Sequence, residues 1–308
     1  MHAMTNLSFS TMWAQQPRFE DLGAFRDVVA SYGYEAIEVS HSTSEAGLRA
    51  LLAGGAGVRV SSLHAPVPHR FLEDGRHNGD ANLASTDEDQ RQIALEETKR
   101  TIDYAAEGGL PFVVVHLGGV GDRRTVQERE LRALYEAGER EGPRWDAAQS
   151  SLWTWRAEHA KPYLERAARS LAELVGYASL HRITIGIESR LSYHEIPLPE
   201  EAVMLLSGYD NSVAGFWYDV GHCEVQSRLG MIEHALWGPA IGQRIIGAHL
   251  HDVNGIVDHR APGNGTLDWS LVAANLPPEA LRVLEIDQHE PDESVAAAGK
   301  FLQARGIV

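Results

Sequence analysis

Eight times along this chain a short apolar run gives way to a longer stretch of helical periodicity, and no other feature limits the fold as tightly. The predicted strands are Leu7 to Ser10, Ala36 to Val39, Val58 to His64, Phe112 to His116, Ile183 to Glu188, Val213 to Asp219, Ile245 to His251 and Leu281 to Ile286. Helical patterns fall at Phe19 to Tyr32, Ser44 to Ala53, about Asp87 to Glu107, about Trp155 to Leu180, and about Asp292 to Ala304, with Thr86 or Asp87 as the N-cap of the third. Strand followed by helix from end to end is the pattern of a parallel sheet closed into a (β/α)8 barrel. A chain of 308 residues that is 44% hydrophobic can fill one such α/β domain, read as spanning 1–308. The competing open sheet lacks its nucleotide fingerprint, because HLGGVGDR after the fourth strand is neither GxGxxG nor a phosphate-binding P-loop and reads as a turn. The fifth strand also favours closure. Ile183, Ile185 and Ile187 alternate with Thr184, Gly186 and Glu188, so one face suits packing on helices while the other is small and ends in an acid.

Composition narrows the function classes. The single cysteine, Cys223, rules out an internal disulfide framework and makes a reducing compartment the default. MHAMTNLSFS shows no basic region leading into an apolar run, and no apolar stretch is long enough to span a bilayer, so a cytoplasmic protein without a membrane partner is expected. A net charge of −16 disfavours nucleic acid as a partner. The lysines, Lys99, Lys161 and Lys300, all sit in helical stretches, which argues against a Schiff base and leaves proton transfer to carboxylates and histidines.

Barrel chemistry is built where the strands end. Here strand three ends in His64, strand four in His116, strand five in Glu188, strand six in Asp219 with His222 three residues on, strand seven in His249, and strand eight in Glu285. On strand seven, His249 and His251 share a face, a pattern that suits either metal ligation or a hydrogen-bonded polar patch. Six consecutive strands ending in His, Asp or Glu decide between these. Several carboxylates converging on one axis repel one another unless a cation lies between them, so a divalent metal cofactor is expected.

The motifs VVVHLGG with His116, IGIES with Glu188, YDVGH with Asp219 and His222, HLHD with His249, DHRAPGNGTLDW with His259 and VLEID with Glu285, together with the strand ending in His64, resemble the xylose-isomerase-like TIM-barrel superfamily over the whole chain. That superfamily includes sugar epimerases and isomerases as well as the endonuclease IV group of phosphodiesterases. Its single-metal sugar enzymes imply Glu188, Asp219, His249 and Glu285 as the metal ligands, with Glu188 and Glu285 doubling as the catalytic acid and base. The endonuclease IV type implies additional metals at His64, His116 and a bridging Glu188, and at His222 with His259. One departure counts against a third metal: the expected aspartate two residues before His259 is Val257, with Asp258 adjacent instead. Oxygen and nitrogen ligands together suit Mn, Zn, Mg or Co.

The resemblance implies a metal-dependent isomerase or epimerase of a sugar, cyclitol or related polyhydroxy small molecule. The alternatives are a metal-dependent phosphodiesterase of the endonuclease IV type, and a catalytically silent barrel that binds a metal or small molecule. His222, Arg190, His251 and Trp13 are candidate substrate contacts: Arg190 for a polar or anionic group, His251 alternatively as a support for a ligand, and Trp13 as an apolar wall for a sugar ring. Glu38 is read as lining the mouth or making a structural hydrogen bond, and Cys223 as a small buried residue. A long insert at about 117–154, with a charged helical piece near Val126 to Arg140, lies on the catalytic face by topology and is a candidate lid. Arg123 and Arg124, at its start, read as a solvated face. Barrels commonly associate through faces away from the mouth, so a homo-oligomer fits the sequence without being required by it.

Overall fold

The apolar runs form strands because their neighbours bury both sides of them. In the computed structural model, which describes residues 7–55 and 57–308, β1 (Leu7–Ser10), β2 (Ala36–Val39), β3 (Arg59–His64), β4 (Phe112–Val115), β5 (Thr184–Glu188), β6 (Ala214–Asp219) and β7 (Ile245–Leu250) enter the barrel in turn. A hairpin, β8 (Asp252–Asn254) with β9 (Val257–Arg260), interrupts the series before β10 (Leu281–Leu284) closes it against β1. All eight barrel pairings are parallel. The first six residues, part of the stretch read for a leader, lie outside the described residues. Among the described residues, no helix is long and apolar enough to cross a membrane.

The helices around the barrel are α1 (Leu22–Ser31), α2 (Glu45–Leu52), α3 (Glu88–Glu107), α4 (Val126–Glu136), α5 (Pro143–Leu180), α6 (Pro199–Leu206), α7 (Val220–Arg228), α8 (Trp237–Ile241), α9 (Trp269–Asn275) and α10 (Asp292–Gln303). Asp21, Ser44, Asp87, Thr125, Asp219 and Asp268 each accept a hydrogen bond from a first-turn amide and so satisfy a donor that the helix itself cannot. Sequence periodicity misses the true start of α5. The helix begins at Pro143 rather than near Trp155, so Trp145 and Trp153 are helical. The buried Trp145 joins Leu131, Leu134 and Tyr135 of α4 with Val225 and Leu229 of α7 in a second apolar cluster beside the mouth.

The barrel interior explains the small face of β5. Trp217 of β6 points inward with no exposure and packs with Val114 and Val283, while the isoleucines Ile185 and Ile187 belong to the larger core shared with the helices. A Cβ on Gly186 would stand 2.7 Å from the Trp217 ring, and one on Gly247 would meet the same ring. Glycines on β5 and β7, the two strands that flank β6, therefore make room for its indole, which in turn stands edge-on beneath the His249 ring at 5.7 Å. That indole is the floor of what lies above.

Candidate functional site

Each strand delivers its last inward side chain to the same end of the barrel. Glu188, Asp219, His249 and Glu285 offer one ligand atom apiece, and these atoms all lie within 4.8 Å of one another, every one of the four residues being buried. The backbone register brings Asp219 and His249 side by side on β6 and β7. His249 Nδ1 faces the carboxylates of Glu188 at 2.9 Å, Glu285 at 3.2 Å and Asp219 at 3.7 Å. Its Nε2 is taken by Glu38 at 2.7 Å, and Glu38 in turn accepts from the Ser62 hydroxyl at 2.7 Å. The second nitrogen is thereby fixed by a fully buried carboxylate, which leaves Nδ1 turned toward the acids. Glu38 makes this hydrogen bond beneath the site and does not line the mouth.

Glu188 looks two ways. Its Oε1 meets His249, and its Oε2 meets His64 Nε2 at 3.1 Å and His116 Nε2 at 2.7 Å. Burial would push the Glu188 carboxyl upward, but the charges and hydrogen bonds of His116 and His249 hold it well below the usual range. Burial likewise opposes a charged His249, yet Glu285, Glu38 and Glu188 raise it well above an ordinary histidine. Asp219 is held well below its usual range against the same burial by His222 and His251. Hydrogen bonds and charges from the histidines around them thus favour the anionic form of these crowded buried carboxylates. A dication suits such a donor set at least as well.

Asp219 also caps α7, accepting from the His222 amide at 2.7 Å. His222 gives Nδ1 to the Ser189 carbonyl at 3.0 Å, and its Nε2 stands 3.6 Å from Asp258. His251 is fully buried. Its Nδ1 accepts from the His259 amide at 2.8 Å, so Nε2 is the protonated nitrogen and donates to Asp219 at 2.9 Å. His251 therefore supports Asp219 and is not among the residues that line the cavity over these groups. His259 stacks on it with ring centres 4.2 Å apart and has φ of 54°, a left-handed backbone rare for a residue with a side chain. There Asp258 faces both His259 Nδ1, at 3.3 Å, and His222 Nε2. Asp258, next to the exposed Val257, thus brings a carboxylate to these two rings.

Above these groups opens a cavity of about 660 Å³, a size suited to a small molecule. His64, His116, Glu188, Arg190, His222, His259 and Glu285 line it. Trp13 does not. It is fully buried among Phe9, Phe19 and Tyr32 and donates Nε1 to the Glu290 carbonyl at 3.0 Å, because β1 is followed at once by a helical turn that folds the ring inward. Two further features of the lining escape sequence reasoning. His41, just beyond β2, presents a ring that burial pushes down to about 4, with its Nδ1 buried and without a hydrogen-bond partner. Its place after the strand end was the available signal. Arg123, Arg124 and Arg129 also line the cavity, so the pair read as a solvated face, with Arg123 exposed and Arg124 half-buried, stands at its edge. Arg190 is held by Glu195 at 2.9 Å and reaches Glu188 at 3.4 Å.

Comparison with known proteins agrees with this architecture. A D-psicose 3-epimerase with D-tagatose from Clostridium cellulolyticum H10 superposes with a TM-score of 0.67 at 15% identity, covering 97% of this chain and 98% of that one. The IolI protein with a bound zinc atom superposes at 0.63 and 14% identity, over 97% of each chain. At these identities the likeness is one of fold. An uncharacterised protein of Sinorhizobium fredii, y4fM, is 26% identical over 235 residues, which are 70% of this chain but only 62% of that relative's length. The family model for the xylose isomerase-like TIM barrel matches residues 26–304, and the chain belongs to that family.

Proposed function

We propose that this protein is a metal-dependent isomerase or epimerase of a polyhydroxy small molecule, working by proton transfer through carboxylates. One observation carries the reading: Glu188 and Glu285 belong to a four-residue set with ligand atoms within 4.8 Å of one another, and both also line the cavity. A carboxylate so placed can hold a metal and still reach a substrate C–H. Held by Glu188, Asp219, His249 and Glu285, a divalent ion of Mn, Zn, Mg or Co would supply Lewis-acid polarisation of a substrate carbonyl and its neighbouring hydroxyl. Glu188 and Glu285 exchange the proton at the reacting carbon. Against burial, the neighbouring histidines lower the pKa of both and so favour the anionic form that a base needs. His222, with Nε2 turned away from the Ser189 carbonyl, and Arg190, steadied by Glu195, position substrate oxygens. Structural neighbours named as sugar epimerases support the reading.

Incorporation of solvent deuterium into ketoses by the metal-loaded protein tests it. Glu188→Gln and Glu285→Gln should each lower exchange by about 10²- to 10⁴-fold while the protein stays folded. Wild-type-like exchange in either variant would remove that residue from the chemistry.

A second reading has its own observation. Glu188 turns Oε1 to His249 and Oε2 to His64 and His116, as a carboxylate bridging two ions would, which favours a multi-metal phosphodiesterase. Metal counting separates the two, with about one ion per chain for the isomerase and two or more for the hydrolase. His116→Ala should cost an isomerase modestly and a hydrolase nearly all its activity.

A further inference from the structure

The hairpin of β8 and β9 carries two groups of the site, yet little within the hairpin holds them there. Its strands pair only with each other, outside the barrel sheet, and a two-stranded ladder is marginal in water. Even so, it keeps His259 in a left-handed backbone and Asp258 between two imidazoles. The bracing comes from Arg228, in the last turn of α7 and only 15% exposed. Its Nε donates to Glu224, one turn back, at 2.7 Å. Nη1 donates to the Gly255 carbonyl at 2.8 Å and the Val253 carbonyl at 3.3 Å, both in the hairpin, and Nη2 donates to the Thr266 hydroxyl in the loop that follows, at 2.9 Å. Glu224 is fixed in turn. Its second oxygen meets His234 Nδ1 at 2.8 Å, and the other nitrogen of that ring meets the hydroxyl of Tyr218, the residue before Asp219. Val225 and Leu229 of α7 share an apolar cluster with Val253 of β8.

The helix therefore meets the hairpin at both of its ends. The first turn of α7 brings His222 to 3.6 Å from Asp258, with the His222 and His259 ring centres 5.4 Å apart, and the last turn holds Gly255. Both histidines line the cavity. At that end the polar contacts are loose, because Asp258 Oδ2 is buried and makes no hydrogen bond, so these groups do not set their own spacing. We propose that Arg228 is a positioning residue: by tying the hairpin to α7 it sets where Asp258 and His259 stand opposite His222, and with that how a small molecule is held in the cavity. A planar guanidinium suits the task because it reaches several acceptors at fixed angles, which an ammonium does not. The effect on substrate rests on the isomerase reading, whereas the effect on the hairpin rests on the hydrogen bonds of Arg228 alone.

Amide hydrogen exchange followed by mass spectrometry, on the wild type, R228K and R228Q with Mn added, tests the brace. Peptides covering residues 252–260 should exchange about tenfold or more faster in both variants, while those from β4, β5 and β6 keep wild-type rates. R228K keeps the charge beside Glu224 but loses the fork, so wild-type protection of the hairpin in R228K would overturn the proposal. Faster exchange spread evenly over the barrel would overturn it too, by making Arg228 a residue of the fold at large. Solvent deuterium incorporation into ketoses then reads the site. R228K should raise KM about tenfold with kcat within about twofold of wild type, because Glu188 and Glu285 are untouched. Placed in H259N, whose asparagine tolerates the left-handed backbone, R228K should raise KM little further. A full tenfold rise in that background, or a wild-type KM in R228K alone, would overturn the link from Arg228 to the site. Absence of incorporation by the wild type would remove the isomerase reading instead, and the hairpin peptides would still decide for or against the brace.

Discussion

Glu38 governs a nitrogen it never exposes to the cavity. By accepting from His249 Nε2 at 2.7 Å it fixes the ring's rotation and tautomer, so that Nδ1 faces Glu188, Glu285 and Asp219. A gln at position 38 keeps the shape but can no longer stabilise a more basic imidazole, so Glu38→Gln should weaken metal binding by about 10- to 100-fold with the fold intact. Metal titration of the two proteins checks this, and equal affinities would reduce Glu38 to a packing residue. Nothing near Glu38 in sequence announces the partnership, since 211 positions separate it from His249. The four candidate ligands were legible because each ends its own apolar run. Their supports were not, because a hydrogen bond across the barrel depends on which strand tips face one another. Trp13 fails for a related reason: a large aromatic near a strand end looks the same in sequence whether it turns into the mouth or under the adjoining helix.

At the level of elements, the loop between β3 and α3 needs an anchor, since it is long and carries Gly79 into the cavity lining. Glu97 of α3 supplies it. The carboxylate accepts from Arg70 at 2.8 and 2.5 Å and from Asn78 at 3.2 Å, both residues lying in that loop. Burial pushes the Glu97 carboxyl up, but those bonds and the nearby Arg100 hold it below its ordinary value. A depressed folded pKa stabilises the protein above the unfolded carboxyl pKa of about 4.3, and the contribution fades as pH falls through the lower folded value. Glu97→Gln should therefore cost about 1–2 kcal/mol near pH 7, allowing for the partly exposed Arg70, and the gap should narrow below about pH 4. Melting curves at several pH values check the sign. A gap that stays constant into acid would mean that the loss is one of packing. Periodicity gave the elements of the barrel to within a few residues, but not the early start of α5, where Trp145 and Leu152 pack on α4 and α7 rather than on the barrel. The hairpin of β8 and β9 was hidden too, since Asp252 organises that loop by accepting from the amides of Gly263 and Leu267 far along the chain.

At the scale of the whole molecule, closure of the barrel assembles a charge arrangement that no segment holds by itself. Residues from 188 to 285 converge on one point, and the unfolded chain has no such point, so a metal bound there binds the native state alone. Linkage then gives the size of the effect. At a free metal concentration 1,000 times the dissociation constant, the native state gains about 4 kcal/mol. At about 2 cal/mol/K per residue, a chain of 308 residues has an unfolding entropy near 0.65 kcal/mol/K, so the melting temperature should rise by about 6 °C. Protein stripped with chelator and then given Mn or Zn should show that rise, and Asp219→Asn combined with Glu188→Gln should abolish it, because the pair removes two of the three charges that make the site attractive to a cation. An equal rise in the double variant would place the bound metal elsewhere on the molecule, and no rise in the wild type would mean that the four groups meet without gripping an ion.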